Sequence, residues 1–535
     1  MNFRATISDF LTEINFPAAV LFSPNLCHLQ QPDSASTFAK EIPMKINSGL
    51  LLSIALLSGI SSTAFAAATE EGAKHLTKVL QSYLTDTEGV VDVSADGDVY
   101  KVKLDVAPLT GSKDGSAAPN PTDAPKFTLA PIELELTDEG DGKWQVKHTG
   151  PIEFSVENKD ELSLNGKFEA YEMTGVFDEK LATFSTSKTE IKNFTVDEKM
   201  NDPAQGPQSA KIAVVSITQD QTAAANAAGG VDITNKLTLE GLSENIASAA
   251  SADGSKPAVN GSMTADSGIY ETAAKNAKVK SILDLVAFFV SHQSKEKIIK
   301  SQADLKTILA AVLPVFDNAA STGTFKKVSV LSPVGQFGFD AASATVDMNG
   351  AVKDGKFHEK LSLSGPSFPA GLVPAWATKL VPQAFTVDFT VSGFDVAAPA
   401  QIALDKMDLT KDNPWPDNFE QVLLPVFMPK GTVDITMNPT SVSNDTYNVK
   451  AEGSMTAGPA AMPTGQATVT AKGLDDIMKL VQAAPPEAGL QSGTAMIIAA
   501  KGLSKTEADG SLSWKIEAAA GGKISVNGTD LSTIK

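Results

Sequence analysis

The 535-residue chain has one cysteine, Cys27, and one arginine, Arg4; every other basic residue is lysine. Histidine occurs five times and aromatic residues make up only 6%. Each scarcity removes a class of chemistry. Past Cys27 the chain cannot build a disulfide, a thiolate zinc site, an iron–sulfur cluster or a cysteine nucleophile. Past Arg4 it has no guanidinium fork for bidentate recognition of phosphate or carboxylate. With 44 basic against 63 acidic side chains, and a net charge of −19, it also lacks the clustered cations that nucleic acid requires. Glycine at 39 and proline at 29 fall short of a low-complexity composition, and 42% hydrophobic residues support packed lobes.

Catalytic motifs are missing too. No HExxH, GxSxG, GxxxxGK[ST], helix-opening GxGxxG or EF-hand loop occurs. His75, His148, His292 and His358 stand apart, none at metal-ligand spacing from another. His292 closes an apolar helical stretch, where an imidazolium suits the C-terminal dipole. His358, beside Glu359 on an alternating strand, reads as solvated. The acidic run Asp138–Gly142 holds the residue types that a hairpin tip needs. The expectation is a non-enzymatic protein with no metal, no cofactor and no nucleic-acid partner.

An export signal is present. Residues 44–66 read MKINSGLLLSIALLSGISSTAFA: Lys45 gives a basic start, Leu50 to Leu57 an apolar core, and Ala64-Phe65-Ala66 the small residues that a signal peptidase reads. Cleavage is expected between Ala66 and Ala67. The apolar core is too short to span a bilayer, which needs about 20 residues. Residues 1–43 ahead of it read as a mis-called upstream extension, expected to be disordered. The chain is therefore expected to be periplasmic or secreted, with no transmembrane span after processing.

The remainder is punctuated by tight-turn chemistry. Asp-Gly begins at Asp96, Asp114, Asp141, Asp253, Asp354 and Asp509, and Asn-Gly at Asn165, Asn260, Asn349 and Asn527. Period-two alternation flanks several of these, as in Val99–Val106, Phe127–Leu136 with Lys143–Lys147, and Ser511–Glu517 with Gly522–Val526. Helical spacing predicts Glu70–Leu84, then a pair at Ala273–Ser291 and Ala303–Phe316, and shorter helices at Asn418–Phe427 and Leu474–Gln482. The fold expected is mainly β with α (α+β): long curved antiparallel sheets built of hairpins, with a central amphipathic helical hairpin over residues 273–316. An N-terminal β-rich lobe is expected over 67–240 and a C-terminal β-rich lobe over 241–535.

Two recurrences hint at a repeated unit. Leu313-Pro314-Val315-Phe316 returns as Leu424-Pro425-Val426-Phe427, each followed by Gly-Thr. A strand running into Gly-apolar-Ser/Asp appears at Leu237–Ser243, Phe389–Asp395 and Val469–Asp475. The run Val286–Val290 is apolar over more than one helix face, so it must be buried on most sides or touch something apolar outside the chain. An apolar groove is expected from Leu283, Val286, Phe289, Leu309, Leu313, Phe316, Trp376 and Phe427.

The export signal, the cysteine-free remainder, the Gly-apolar-Asp helix starts and the closing hairpin Asp509–Trp514 with Gly522–Gly528 resemble a family of uncharacterised exported alphaproteobacterial proteins, a domain of unknown function. More distantly, the pattern over residues 70–535 resembles the AsmA-like proteins, whose curved sheets are linked to lipid handling at the envelope. The resemblance implies no catalytic residues. It implies a β-rich envelope protein binding a lipid or other apolar ligand in a groove between sheets. The alternative is a structural or interaction protein of the cell envelope, with an envelope protein as partner and no small ligand.

Overall fold

The computed structural model describes residues 67–110, 126–158, 161–202, 206–250, 257–292, 294–416, 418–459 and 461–531. The expected export signal, Ala66 and the segment before them lie outside the described residues, and Ala67 is exposed.

Helix α1 (Glu70–Tyr83) starts at Thr69, whose hydroxyl accepts the Gly72 N–H at 3.0 Å, with Glu70 and Glu71 in the first turn. Its stripe of Ala73, Leu76 and Leu80 is buried. Strands β1 (Val91–Asp96) and β2 (Val99–Leu104) form a hairpin around Gly97. After the short α2 (Ala107–Thr110) come β3 (Lys126–Leu129) and β4 (Ile132–Gly140). The single strand expected over 127–136 is thus two, because Pro131 has no N–H to give a ladder.

Six long strands follow: β5 (Lys143–Asn158), β6 (Leu162–Asp178), β7 (Thr183–Asp202), β8 (Gly206–Ala225), β9 (Val231–Ser248) and β10 (Val259–Ala277). Helices α3 (Val279–Ser291), α4 (Lys295–Lys300) and α5 (Gln302–Val312) connect β10 to β11 (Asn318–Ser332). Then come β12 (Gly335–Asn349), β13 (Gly355–Ser364) and β14 (Ala384–Phe394), and α6 (Ala397–Lys406) with α7 (Phe419–Phe427) leads to β15 (Val433–Ser443). Strands β16 (Asn448–Gly458) and β17 (Ala461–Lys472), helices α8 (Leu474–Gln482) and α9 (Gln491–Gly502), and strands β18 (Lys505–Thr506), β19 (Leu512–Ala519), β20 (Lys523–Val526) and β21 (Thr529–Asp530) complete the described chain.

The fold is mainly β, and its hairpins make one sheet. Sequence neighbours pair antiparallel from β1 to β21, with β3 beside β5 and β18 beside β19 as short flanking pieces. Among the described residues all strands belong to this one sheet. Residue 240, where a lobe boundary is expected, lies inside β9, and β9 pairs on both sides. Residues 273–277, expected in the helical hairpin, extend β10 instead. Ala273 and Ala274 pair there with β9 and β11, and that two-sided ladder outweighs alanine's helix preference.

Meander topology sorts the connections into two ends. At the end called proximal lie the β6–β7 and β8–β9 turns and the helical connections α3–α5 and α6–α7. At the distal end lie the β11–β12 turn, the β13–β14 connection and the connection carrying α8 and α9. The tightest core sits under α1, where Leu76, Leu80, Val102, Leu136, Val146 and Phe177 are each less than 2% exposed.

Candidate functional site

Antiparallel register puts directly opposed residues on the same face. Traced through the ladders, the sheet from β12 to β19 has two unlike faces. One carries Ala342, Leu363, Phe385, Val442, Val449 and Leu512 in one row across the strands, and Leu361, Val387, Val469 and Trp514 in the next. A third row holds Val346, Phe389, Met437 and Ile516 with Glu359, and a fourth Met348, Phe357, Val391, Ile435 and Met455. The other face carries Thr345, Lys360, Asp388, Thr436, Lys450, Thr468 and Lys515. Glu359 is the one charged side chain in the four apolar rows.

This apolar face is partly open: α9 covers its β19 corner, where Trp514 Nε1 donates to the Ala500 carbonyl at 2.7 Å, and most of the remaining row residues are half-buried. Leu361, Val387 and Met455 are 39%, 41% and 38% exposed, and of the row residues only Ala471, opposite Val449 and Leu512, is buried. With strands about 4.8 Å apart and same-face residues about 6.8 Å apart, the four rows over seven strands cover about 29 Å by 20 Å. That footprint is of the order of the largest apolar patch of an ordinary soluble monomer, a size that is often functional.

The same face continues beneath the helices, but by an unusual route. The ladders between β6 and β12 are interrupted along one row: Glu169, Asn193, Val215, Gly241, Asp266, Lys327 and Asp340. Asn193 (φ 51°), Gly241 (φ 64°) and Lys327 (φ 51°) are left-handed, one on every second strand. A left-handed residue adds a step to the pleat, as in a bulge. Apolar positions accordingly fall three apart across the row: Phe168 and Tyr171, Ile191 and Phe194, Val214 and Ile217, Leu239 and Leu242, Phe325 and Val328. Phe168 and Tyr171 touch edge to face at 6.1 Å, so both project to one side. Outside this crease, Asn193 donates to Glu169 at 2.6 Å and Lys327 pairs with Asp340.

Three buried polar atoms on the apolar side have no partner among the described residues: His148 Nε2, Asn235 Oδ1 and the Tyr270 hydroxyl. Burial pushes the Tyr270 phenol up to about 12. His148 Nδ1 lies 2.6 Å from the Glu133 carbonyl, and its ring meets Tyr171 edge to face at 5.2 Å.

The residues expected to line a groove divide among different places. Leu283 packs against the sheet with Leu181, Val231, Ala277 and Val279, beside Ile233 and Ala274. Leu309 joins a separate helical core of Phe288, Leu305, Met407 and Leu409. Buried contacts on two sides explain the over-wide apolar run of α3, and Phe289 is left 39% exposed. Val286, Leu313 and Phe316 are half-buried, while Phe427 stacks on Phe394 at 5.3 Å. Trp376 lies in the β13–β14 connection at the distal end, so the structure does not bring it to the other seven. His292 caps α3: Nδ1 is 2.8 Å from the Phe288 carbonyl and Nε2 is 3.0 Å from Ser301 Oγ.

On the polar face the reading of His358 as solvated is corrected. His358 Nε2 is 2.9 Å from Asp388 Oδ1, which also accepts from Asn438 Nδ2 at 2.6 Å, and Lys360 Nζ is 3.8 Å from the other oxygen. Burial works to raise the Asp388 carboxyl, but hydrogen bonds from Asn438 and His358 and the nearby charges hold it below its ordinary 3.8. A lowered folded value means that its contribution to stability is present above pH 3.8 and is lost as pH falls through the folded value. Asp388→Asn is therefore expected to flatten the acid limb of the stability profile, as read by thermal unfolding in a pH series from neutral to below pH 3.8.

Two open clefts lie away from the apolar face. One of about 470 Å³ runs between α5 and α6, lined by Lys306, Gln401 and Asp405; the other, of about 430 Å³, lies over Asp220, Lys236 and Glu271 on the polar side. Among the described residues no group of three metal-ligating side chains occurs, and no helix is long and apolar enough to cross a membrane. Comparison of the chain with family models, curated proteins and solved structures finds no match.

Proposed function

We propose that the protein is an exported, non-enzymatic protein of the cell envelope that holds a lipid acyl chain along the partly open apolar face of β12–β19. The observation that carries this reading is the two-faced sheet: four apolar rows on one side, Thr, Ser, Lys and Asp on the other. A solvated antiparallel sheet places its apolar side against something. Each methylene transferred from water contributes about 0.8 kcal/mol, and a chain lying on one face gains part of that along its whole length. Val, Leu, Met, Phe and Ala rows offer dispersion contacts, and the one indole N–H among them, that of Trp514, is taken by the Ala500 carbonyl, which suits hydrocarbon better than a polar partner. The sequence resemblance to AsmA-like proteins points the same way.

The test is uptake of a fluorescent long-chain fatty acid by purified protein, together with native mass spectrometry of protein taken from its own envelope. Leu361 and Val387 face each other across the β13–β14 ladder. The double change Leu361→Asp with Val387→Asp is expected to weaken uptake about tenfold or more, because it sets unpaired charge against hydrocarbon. No uptake by the unaltered protein, with no lipid mass lost on denaturation, would sink the proposal and favour the structural role.

A further inference from the structure

The distal end of β11–β14 carries a second apolar feature of another shape. Between Lys327 and Asp340, and again between Lys360 and Lys379, the chain has no charged residue. In a chain with 63 acidic side chains, two uncharged stretches brought together by the fold are a departure. They do come together: Gly338 and Ser367 exchange backbone hydrogen bonds at 3.1 and 2.8 Å, and Phe337 and Phe368 meet edge to face at 6.4 Å. Their apolar side chains point outward. Val334 is 70% exposed, Leu331 and Leu372 are each 53% exposed, and Phe368 is 44% exposed.

We propose that this tip, the β11–β12 turn with the β13–β14 connection, inserts into the surface of a lipid bilayer. The proposal rests on the acyl-chain reading and extends it by naming where the chain enters. Three observations favour a bilayer over a protein. The apolar residues stand on two connections at one end of the sheet, so that an apolar edge can enter an interface. The tip lacks the arginine or tyrosine anchors of a protein–protein contact. Trp376 and exposed Lys379 sit in the same connection, residue types favoured at the headgroup level, and Lys326 with the Lys327–Asp340 pair borders the tip on β11 and β12. The tip is also continuous with the apolar face. Phe337 and Phe339 on β12 lead across the crease to Ala342, the first residue of the row that runs through Leu363 and Phe385.

The test is flotation of the full protein with vesicles of phosphatidylethanolamine and phosphatidylglycerol. Val334→Asp with Leu372→Asp alters only exposed side chains, so folding is kept, and vesicle-bound protein is expected to fall about tenfold or more. Met462→Asp with Val422→Asp, 67% and 42% exposed at the proximal end, is the control and is expected to bind as before. Brominated lipid is expected to quench Trp376, a signal that Trp376→Phe removes. Absence of flotation by the unaltered protein, or flotation undiminished in V334D/L372D, overturns the proposal. A vesicle-independent dimer that V334D/L372D dissolves also overturns it, by giving the tip to a second copy. Uptake of free fatty acid without vesicles keeps the two readings apart: it tests the sheet face alone, and V334D/L372D is expected to leave it unchanged.

Discussion

Phe177→Ala is expected to lower the unfolding free energy by about 3–5 kcal/mol. Phe177 is 0% exposed and meets Phe184 edge to face at 5.6 Å across the start of the β6–β7 hairpin. It opposes Trp144 in the β5–β6 ladder, and Trp144 in turn contacts Tyr100 at 5.9 Å. Leu181 and Ala182 in the intervening turn are themselves buried, so the turn cannot close over the lost ring without disturbing both. The cavity term is therefore retained almost in full. Urea unfolding followed by tryptophan fluorescence checks this, since Trp144 reports from beside the substitution. A midpoint within experimental error of the unaltered protein would show that the site collapses freely, against the packing described.

Gly473→Ala is expected to cost about 3 kcal/mol, combining the penalty for a side chain in a left-handed conformation with that of overpacking. Gly473 has φ 79° and opens α8, and an added Cβ would lie 2.0 Å from the Thr446 carbonyl oxygen and 2.9 Å from Tyr447 Cα. Both obstacles are backbone, so no side chain can swing aside. The β15–β16 turn would move, and with it Tyr447, whose hydroxyl donates to the Leu380 carbonyl at 2.9 Å. Amide exchange should consequently quicken in α8, α9 and residues 378–380 while α1 and β1–β7 remain protected. Gly371→Ala makes a suitable comparison: φ is also positive at 82°, but an added Cβ meets nothing within 4 Å. It should lose only the conformational part.

The recurring Gly-apolar-Ser/Asp signature acquires a physical meaning at this point. Gly241, Gly393 and Gly473 are all left-handed, with φ 64°, 81° and 79°. Two of them stop a strand and turn the chain into a helix, where Asp395 accepts the Ala398 N–H at 2.9 Å. The third makes the crease in β9. The paired Leu-Pro-Val-Phe segments both lie between a helix and the next long strand but differ in conformation: Leu313–Phe316 follows α5 on the way into β11, with Val315 left-handed, whereas Leu424–Phe427 is the last turn of α7 before β15.

Local chemistry made the strands legible. Asp141-Gly142 and Asn527-Gly528 have positive φ at both residues, as tight hairpins demand. Asn165-Gly166 misleads, because it lies within β6. There Gly166 leaves room for the Phe154 ring, whose Cζ an added Cβ would approach to 2.0 Å. The crease was hidden because apolar residues three apart, such as Ile191 and Phe194, imitate helical spacing. Asp388 and His358 are 30 positions apart and Asn438 is 50 from Asp388, so only strand pairing reveals their contact. The partly open face was harder still, since alternating strands read alike whether or not a second layer covers them. Of the apolar residues that stood out in the sequence on α3 and α5, Leu283 and Leu309 are occupied with the chain's own packing, while Phe289 stays 39% exposed.

Because each long strand bonds to its neighbours in sequence, free energy is distributed along the chain almost in one dimension. Ordering can spread outward from any well-packed hairpin, with loop closure remaining short at each step. The dense region beneath α1 and the thinner run from β12 to β19 need not melt together. A heat scan should then broaden or split, and a bound acyl chain should raise the later strands' transition while leaving the earlier one in place.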